Sequence, residues 1–264
     1  MAGSEESVRI EPLDLATAAD RLAPADLSDR YGPFLPNLAV QALRAGGRAS
    51  VAVDREAASV VGVLLTDPAD ATASVFTRSP AIAARLRAEA PTLAVYADHP
   101  LDGPSDRFVV GEADPAAVPP HRFRHPVRLA SSADLTSVAR LLGEAYGPAA
   151  ERWVGVASAD GERCVVAELR GAVVGAGWVL LCGGRARLHT LYVRPEFRRL
   201  GVATDLVAAR LLLAARAGVR RAFSEVAERN TGSALASERA GLRPVGEIRL
   251  YAPLRGGPAV PTSA

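Results

Sequence analysis

Two arginines, a glycine and an alanine carry the chemistry that is easiest to read in this sequence. The stretch Leu188-His-Thr-Leu-Tyr-Val-Arg-Pro-Glu-Phe-Arg-Arg-Leu-Gly-Val-Ala203 reads as a strand, a short loop and the start of a helix. The first turn of a helix presents N–H groups that have no intrahelical partner, and its dipole favours negative charge. Gly201 lets the backbone approach a phosphate, and Ala203 leaves space beside it. Arg198 and Arg199 add charge-assisted hydrogen bonds. Taken alone, an arginine pair before a helix is also ordinary solvated surface. On the strand just before, His189 offers an imidazole, which titrates near neutrality and suits a general base. A histidine packed or hydrogen-bonded on a strand reads the same way.

Regular elements are needed to hold these residues, and the C-terminal half supplies them. Pro126–Ala130 is a short strand, and Ser132 caps a helix marked by Leu135, Val138, Leu141 and Leu142. Glu162–Leu169, Val173–Leu181 and Ala186–Val193 read as an antiparallel meander, which Pro195 ends. A helix runs from Gly201 to about Ala217 and stops at Gly218. Ala222–Val226 is a strand, Asn230–Ala240 a helix and Pro244–Leu254 a last strand. Tyr146 to Trp153 is a candidate wall for an acceptor.

The first half repeats part of this outline. Ser50–Asp54 aligns with Cys164–Glu168, Val60–Leu65 with Val173–Trp178, and Ala73–Pro80 with His189–Pro195, followed in both by a helix and a strand. This reads as a diverged duplication. Proline and glycine cluster between Asp98 and Pro126, which marks a linker. The expected division is a first domain at 1–120, a second at 121–256 and a flexible tail at 257–264.

Composition narrows the classes. The 264 residues are 49% hydrophobic and 23% charged, an ordinary globular balance that excludes a disordered or collagen-like chain. All 31 basic residues are arginine, so Schiff-base, lysine-base and P-loop lysine chemistry are excluded. The net charge of +2 divides into −5 over 1–124 and +7 over 125–264, so the half with the arginine loop suits an anionic ligand. Neither nucleic acid nor membrane is an expected partner. Cys164 and Cys182 make no disulfide scaffold and read as small core residues. Two Cys and four His show no zinc spacing, so no metal is expected. His121 and His125 are expected to be solvated in the linker. The acidic N-terminus has no apolar run behind it, and a cytoplasmic protein, monomer or homodimer, is expected.

The segment around Arg198, Gly201 and Ala203 resembles the cofactor loop of the GNAT superfamily, the GCN5-related N-acetyltransferases. Their pattern there is Gln/Arg-x-x-Gly-x-Gly/Ala. Glu225-Val-Ala-Glu-Arg-Asn230 and Ser-Glu-Arg-Ala-Gly241 resemble that family's second signature, and the resemblance covers about residues 125–254. It implies an α/β (α+β) fold with a mixed, mostly antiparallel central sheet flanked by helices, here duplicated. It implies acetyl-CoA as co-substrate. Pantetheine would pair with the backbone of Leu191, Tyr192 and Val193 between splayed strands. The pyrophosphate would sit on the amides from Arg199 through Gly201, Val202, Ala203 and Thr204. Asn230 matches an asparagine near the pantetheine arm, and is equally a helix N-cap. Tyr192 alternates away from Leu191 and Val193 and also reads as core.

The chemistry implied is acyl transfer to a primary amine by direct attack on the thioester, on a small molecule or a protein. Many members place a tyrosine acid where this chain has Ser237, a poor acid; Tyr251 is a remote substitute. The base is open between His189, Glu225 and a water chain. His189 is expected to share a strand face with Arg187, Leu191 and Val193. The alternative is an acyl-CoA-binding sensor or pseudo-enzyme. The first half lacks the Arg-x-x-Gly-x-Ala loop, carries Pro80 at the matching helix start, and is expected to bind no CoA.

Overall fold

Hydrophobic alternation along short Val- and Ala-rich stretches favours strands over helices here, and the computed structural model, which describes residues 7–67, 72–147 and 150–255, is built on that alternation. The expected tail at 257–264 lies outside the described residues. Cα proximity divides the chain into two compact units.

The first unit runs to Arg107 and resumes at Ile248. It contains β1 (Val8–Leu13), α1 (Ala18–Leu22), α2 (Leu35–Arg44), β2 (Ala49–Asp54), β3 (Ser59–Asp67), β4 (Thr72–Thr77), α3 (Pro80–Ala88) and β5 (Ala94–Ala97). β1 to β4 pair antiparallel in sequence, and β4 pairs parallel with β5. Beyond β5 the ladder is completed by Arg249–Tyr251, the end of the chain's last strand, running antiparallel. Ser79 caps α3 by accepting from the Ile82 N–H, and Pro80 occupies the first helical position, where a missing N–H costs nothing.

The second unit spans Phe108 to Glu247. It opens with β6 (Ser105–Ala113) and continues with β7 (Val127–Leu129), α4 (Leu135–Tyr146), α5 (Ala150–Ala159), β8 (Arg163–Leu169), β9 (Ala172–Cys182), β10 (Arg185–Val193), α6 (Val202–Arg216), β11 (Arg221–Ala227), α7 (Thr231–Arg239) and β12 (Arg243–Tyr251). β7 to β10 pair antiparallel in sequence, and β10 pairs parallel with β11. β6 completes this ladder, with Phe108–Ala113 antiparallel to Ala222–Ala227. The two units therefore share one topology: four antiparallel strands, one parallel strand, and a final antiparallel strand taken from the other half of the chain.

That exchange departs from the single division expected near 120. Ser105–Ala113 lies inside the stretch read as a linker, and its Phe108, Val109 and Val110 are strand formers among turn residues. α5 is likewise additional to the expected element order.

Helices cover both faces of the second unit's sheet. On one face α4 and α5 bury Val138, Leu141, Leu142 and Val154 against Trp178 and Tyr192. On the other, α6 buries Val207 and Leu211 against Leu188 and Ala222, and Val202 and Leu206 against Val193. Each large side chain buried in this way contributes about 1.5–3 kcal/mol. Before α4, Ser131 and Asp134 form a reciprocal capping box. Arg128 grips Asp134 with two bonds of 2.7 and 2.9 Å, and with the Ser131 donors holds that carboxyl well below the usual range.

Candidate functional site

The site lies where β10 loses its partners. β10 and β11 are paired only from Arg185–Arg187 to Arg221–Phe223. Past that point β11 continues beside β6, and β10 continues beside β9. The β11-facing backbone from Leu188 to Val193 is thus left without a strand partner, as an inserted extended group would require.

A bulge sits on β10 at the start of this gap. The register against β9 shifts between His189 and Tyr192, and Thr190 takes a left-handed φ of 50°. The extra residue reverses the alternation of side chains. His189 and Tyr192 both face α4 and α5, whereas Leu188, Leu191 and Val193 pack toward α6. The expectation that His189 shares a face with Leu191 and Val193 is corrected by that one residue. Tyr192 is 7% exposed and part of the core.

Arg210 fixes the bulge from below. Its side chain is buried within α6, and its guanidinium donates to the carbonyls of Leu206 (3.2 Å), Trp178 (3.1 Å) and His189 (3.2 Å). Burial pulls its pKa down to about 10. In the sequence Arg210 stood out only as a charge interrupting an apolar helix. Gly177 is what admits it, because a Cβ there would lie 3.0 Å from Arg210 Cζ and Nε.

On the α4/α5 side, His189 Nε2 lies 3.0 Å from Oε2 of the buried Glu162, and Nδ1 lies 3.0 Å from Thr190 Oγ1. The Trp153 ring meets His189 edge-on at 5.8 Å and Trp178 at 5.0 Å. Trp153 thus borders the imidazole. Tyr146, at the other end of that stretch, closes α4, and residues 148–149 lie outside the described residues. Glu162 was missed, because it opens a strand in sequence and nothing local marks its partner. Glu225 is engaged by Arg187, whose Nε is 3.1 Å from its Oε1. Its charge is met where β10 and β11 part.

At the far end of the gap, Arg194 leads through one turn of 3-10 helix, Pro195–Phe197, into α6. Arg199 and Gly201 take left-handed φ values of 62° and 97°, and Gly201 is the N-cap of α6, with no side-chain cap. The amides of Val202, Ala203 and Thr204 therefore stand in an uncapped first turn. Val202 buries its side chain, while Ala203 and Thr204 are half-buried. Arg198 turns inward: Nε donates to the Val193 carbonyl at 3.0 Å, and the guanidinium lies 5.5 Å from the Tyr192 ring centroid.

His121 and His125 were expected in solvent, and the structure places both on α6. His121 Nε2 lies 2.6 Å from Asp205 Oδ1, and His125 Nδ1 lies 2.7 Å from Oδ2. The backbone N–H groups of Arg124 and His125 also donate to that carboxylate. Burial raises the Asp205 pKa, but these donors outweigh it and hold the carboxyl below its usual range.

Asn230 caps α7, its Oδ1 accepting from the Ser233 N–H at 3.1 Å. Ser237 is 7% exposed on the same helix. Tyr251 belongs to the first unit, where its hydroxyl donates to the His99 carbonyl and accepts from the Leu101 N–H. Burial pushes the Cys164 thiol up to about 12 and raises Cys182, which keeps both as thiols at neutral pH. Among the described residues, no group of three or more His, Cys, Asp or Glu could hold a metal, and no helix is long and apolar enough to cross a membrane.

The corresponding place in the first unit is bridged by a side chain. The β4–β5 register of Val75 on Ala97 sets Thr77 opposite His99, and His99 Nε2 contacts the Thr77 carbonyl across the line where the gap would begin. Arg78 is drawn to Asp26 and Asp29 at 2.6 and 2.7 Å.

Residues 135–241 match the sequence model of the Acetyltransferase (GNAT) family. A solved GCN5-related N-acetyltransferase from Sphaerobacter thermophilus superposes with a TM-score of 0.64 at 17% identity, covering 97% of this chain and 99% of that one. A tandem GNAT protein from the clavulanic acid biosynthesis pathway gives 0.60 at 20% identity, covering 92% and 97%. An acetyltransferase of the GNAT family from Colwellia psychrerythraea gives 0.58 at 12%, covering 92% and 98%. At these identities the likeness is one of fold, and it extends over nearly the whole chain. No functionally curated protein matches in sequence.

Proposed function

We propose, from the match of residues 135–241 to the GNAT acetyltransferase family, that the second unit binds acetyl-CoA and transfers its acetyl group to a primary amine. The observation that carries this reading is the half-paired β10, whose open edge leads directly to the uncapped first turn of α6. Pantetheine pairs along Leu191–Val193. The pyrophosphate rests on the amides from Arg199 to Thr204, and Arg199 stands beside it. Arg198 braces the loop through Val193. Asn230 keeps its capping bond and stands near the pantetheine arm.

In this reading the amine nitrogen attacks the thioester carbonyl, the C–S bond breaks, and CoA leaves as the thiolate. The proton given up by the amine passes through the Thr190 hydroxyl to His189, and the Glu162 carboxylate stabilises the imidazolium. Glu225 orients Arg187 and does not exchange protons. A thiolate is a weak enough base, with cysteine at about 8.5, to leave without a strong acid. The buried Ser237 is therefore no obstacle. The acceptor is a small amine or a protein amine that fits beside Trp153. The first unit binds no CoA, because His99 bridges its strand gap and Ser79 and Pro80 occupy its helix start.

A second reading, an acyl-CoA-binding sensor without turnover, is favoured by one observation: of the two hydroxyls offered as acid, Ser237 is buried on α7 and Tyr251 is hydrogen-bonded in the first unit. Calorimetric titration with acetyl-CoA, followed by thiol release with a polyamine, an amino sugar, an aromatic amine and a peptide N-terminus, separates the two. Binding with turnover supports the transferase, and binding without turnover across the panel supports the sensor. Absence of binding refutes both.

A further inference from the structure

Between the two units' ladders the chain runs through residues 114–126 without regular structure, yet it is fixed at several points of the second unit. Val118 packs on Gly241, where a Cβ would lie 3.1 Å from Val118 Cγ1. His121 and His125 hold the two oxygens of Asp205. Phe123 stacks edge-on against His121 at 4.9 Å, and the Pro126 carbonyl accepts from the Glu168 N–H. Two imidazoles and two backbone amides on one carboxylate far exceed what a solvated connection needs.

What this attachment positions is Arg124. A Cβ built on Gly201 would lie 3.6 Å from Arg124 Cδ, 4.0 Å from its Nη1 and 3.9 Å from His125 Cε1. The guanidinium thus lies over the one residue at which the backbone of the loop is bare. Among the described residues no carboxylate pairs with it. An exposed cation held over an uncapped helix start by a buried tether is arranged for an anion.

We propose that Arg124 is a coenzyme-binding residue, closing over the pyrophosphate from the connecting segment, and that the His121–Asp205–His125 cluster is the tether that holds it there. This rests on the reading of the α6 loop as the coenzyme site. The segment then acts as a strap: the loop supplies amides from below and Arg124 supplies charge from above. Asp205 sets up a useful opposition. As a negative charge in the first turn of α6 it repels phosphate, and as an anchor it brings Arg124 in.

The test is calorimetric titration of CoA and 3′-dephospho-CoA into the full chain and its variants. Arg124→Ala, at an exposed position, is expected to weaken both ligands about ten-fold, in line with one lost charged hydrogen bond. His121→Phe, which keeps the ring and removes the bond to Asp205, is expected to weaken both in the same direction. Asp205→Asn tightens binding if the residue acts only through its charge, and weakens it if it acts as the anchor; weakening is expected. Affinity unchanged in Arg124→Ala overturns the contact. A loss confined to CoA moves the contact to the 3′-phosphate and overturns the pyrophosphate assignment. Tighter binding in Asp205→Asn, or an unchanged His121→Phe, overturns the tether. If the unaltered chain binds neither ligand, the coenzyme reading itself falls, a result that none of these variants can mimic.

Discussion

Replacing Arg210 by methionine should separate stability from function. The guanidinium sits in the core with three carbonyl partners. Burial lowers its pKa from 12.5 to about 10. At about 1.4 kcal/mol per unit, that corresponds to roughly 3 kcal/mol of charge desolvation that its partners do not offset. The sign follows from linkage: between pH 10 and 12.5 the unfolded chain holds the proton more tightly, so the fold gains stability as pH rises through that window. At neutral pH the cost is present in full. Methionine fills the same path without charge, which removes that cost. It also strands the Trp178 and His189 carbonyls, at about 1–3 kcal/mol each, while Leu206 keeps its helical partner. The two effects largely oppose each other, leaving between about 1 kcal/mol gained and about 3 kcal/mol lost, or a melting shift of at most ~12 °C. Function should not be spared, because His189 and Thr190 lose the bond that fixes the bulge, and a misplacement of about 1 Å costs of order a hundred-fold in rate. Thermal melting, together with thiol release on whichever amine is turned over and acetyl-CoA titration, reads both sides. Gly177→Ala, which displaces the guanidinium, should match it. A variant that melts far lower would show that the carbonyl bonds outweigh desolvation. One with full activity and affinity would show that the bulge does not depend on Arg210.

Three further outcomes follow from the same geometry. Gly201→Asp should abolish CoA binding by like charge, whereas Gly201→Ala, with its nearest neighbour at 3.6 Å, should cost only about 1–2 kcal/mol from the left-handed backbone; calorimetry and urea melts distinguish the two. Asp134→Ala should lower stability by about 1–2 kcal/mol in urea through loss of the capping box. Its carboxyl is depressed in the fold, so its contribution is present above the unfolded value of 3.8 and fades as pH falls below it; a variant with the same acid transition as the parent would contradict this. Ending the chain at Glu247 should expose the edge of β5 and remove the bond from Arg87 Nη2 to the Ala252 carbonyl, 2.7 Å, so that limited proteolysis cuts the first unit before the second.

The meander, α6, α7 and the turn that leads into α6 were all legible, because each depends on local signals: alternation, Gly201, Pro195 and the Asn230 cap. What escaped depends on contacts between residues far apart in sequence. Glu162 and His189 are brought together by the sheet, and nothing near either residue announces the other. His121 and His125 look solvated beside prolines until α6 places Asp205 against them. Arg210 looks like an interruption of an apolar helix until the β10 bulge supplies its acceptors. The bulge itself was invisible, since one extra residue in a β strand leaves no compositional trace, yet it decides which face His189 occupies.

The exchange of final strands has the deepest consequence for the site. A strand needs partners, and β11 shares only three residue pairs with β10 before the two diverge. From Ser224 to Ala227 its ladder is with Gly111, Val110, Val109 and Phe108 of β6. Without β6, that part of β11 would have no strand beside it, and its shortest route to satisfied N–H and C=O groups would be to close onto β10. Closure would erase the gap. The strand that pairs with β11 beyond the gap is encoded ahead of residue 120, in the half of the chain that lacks the loop, so the geometry of the gap depends on that half whether or not it binds a coenzyme.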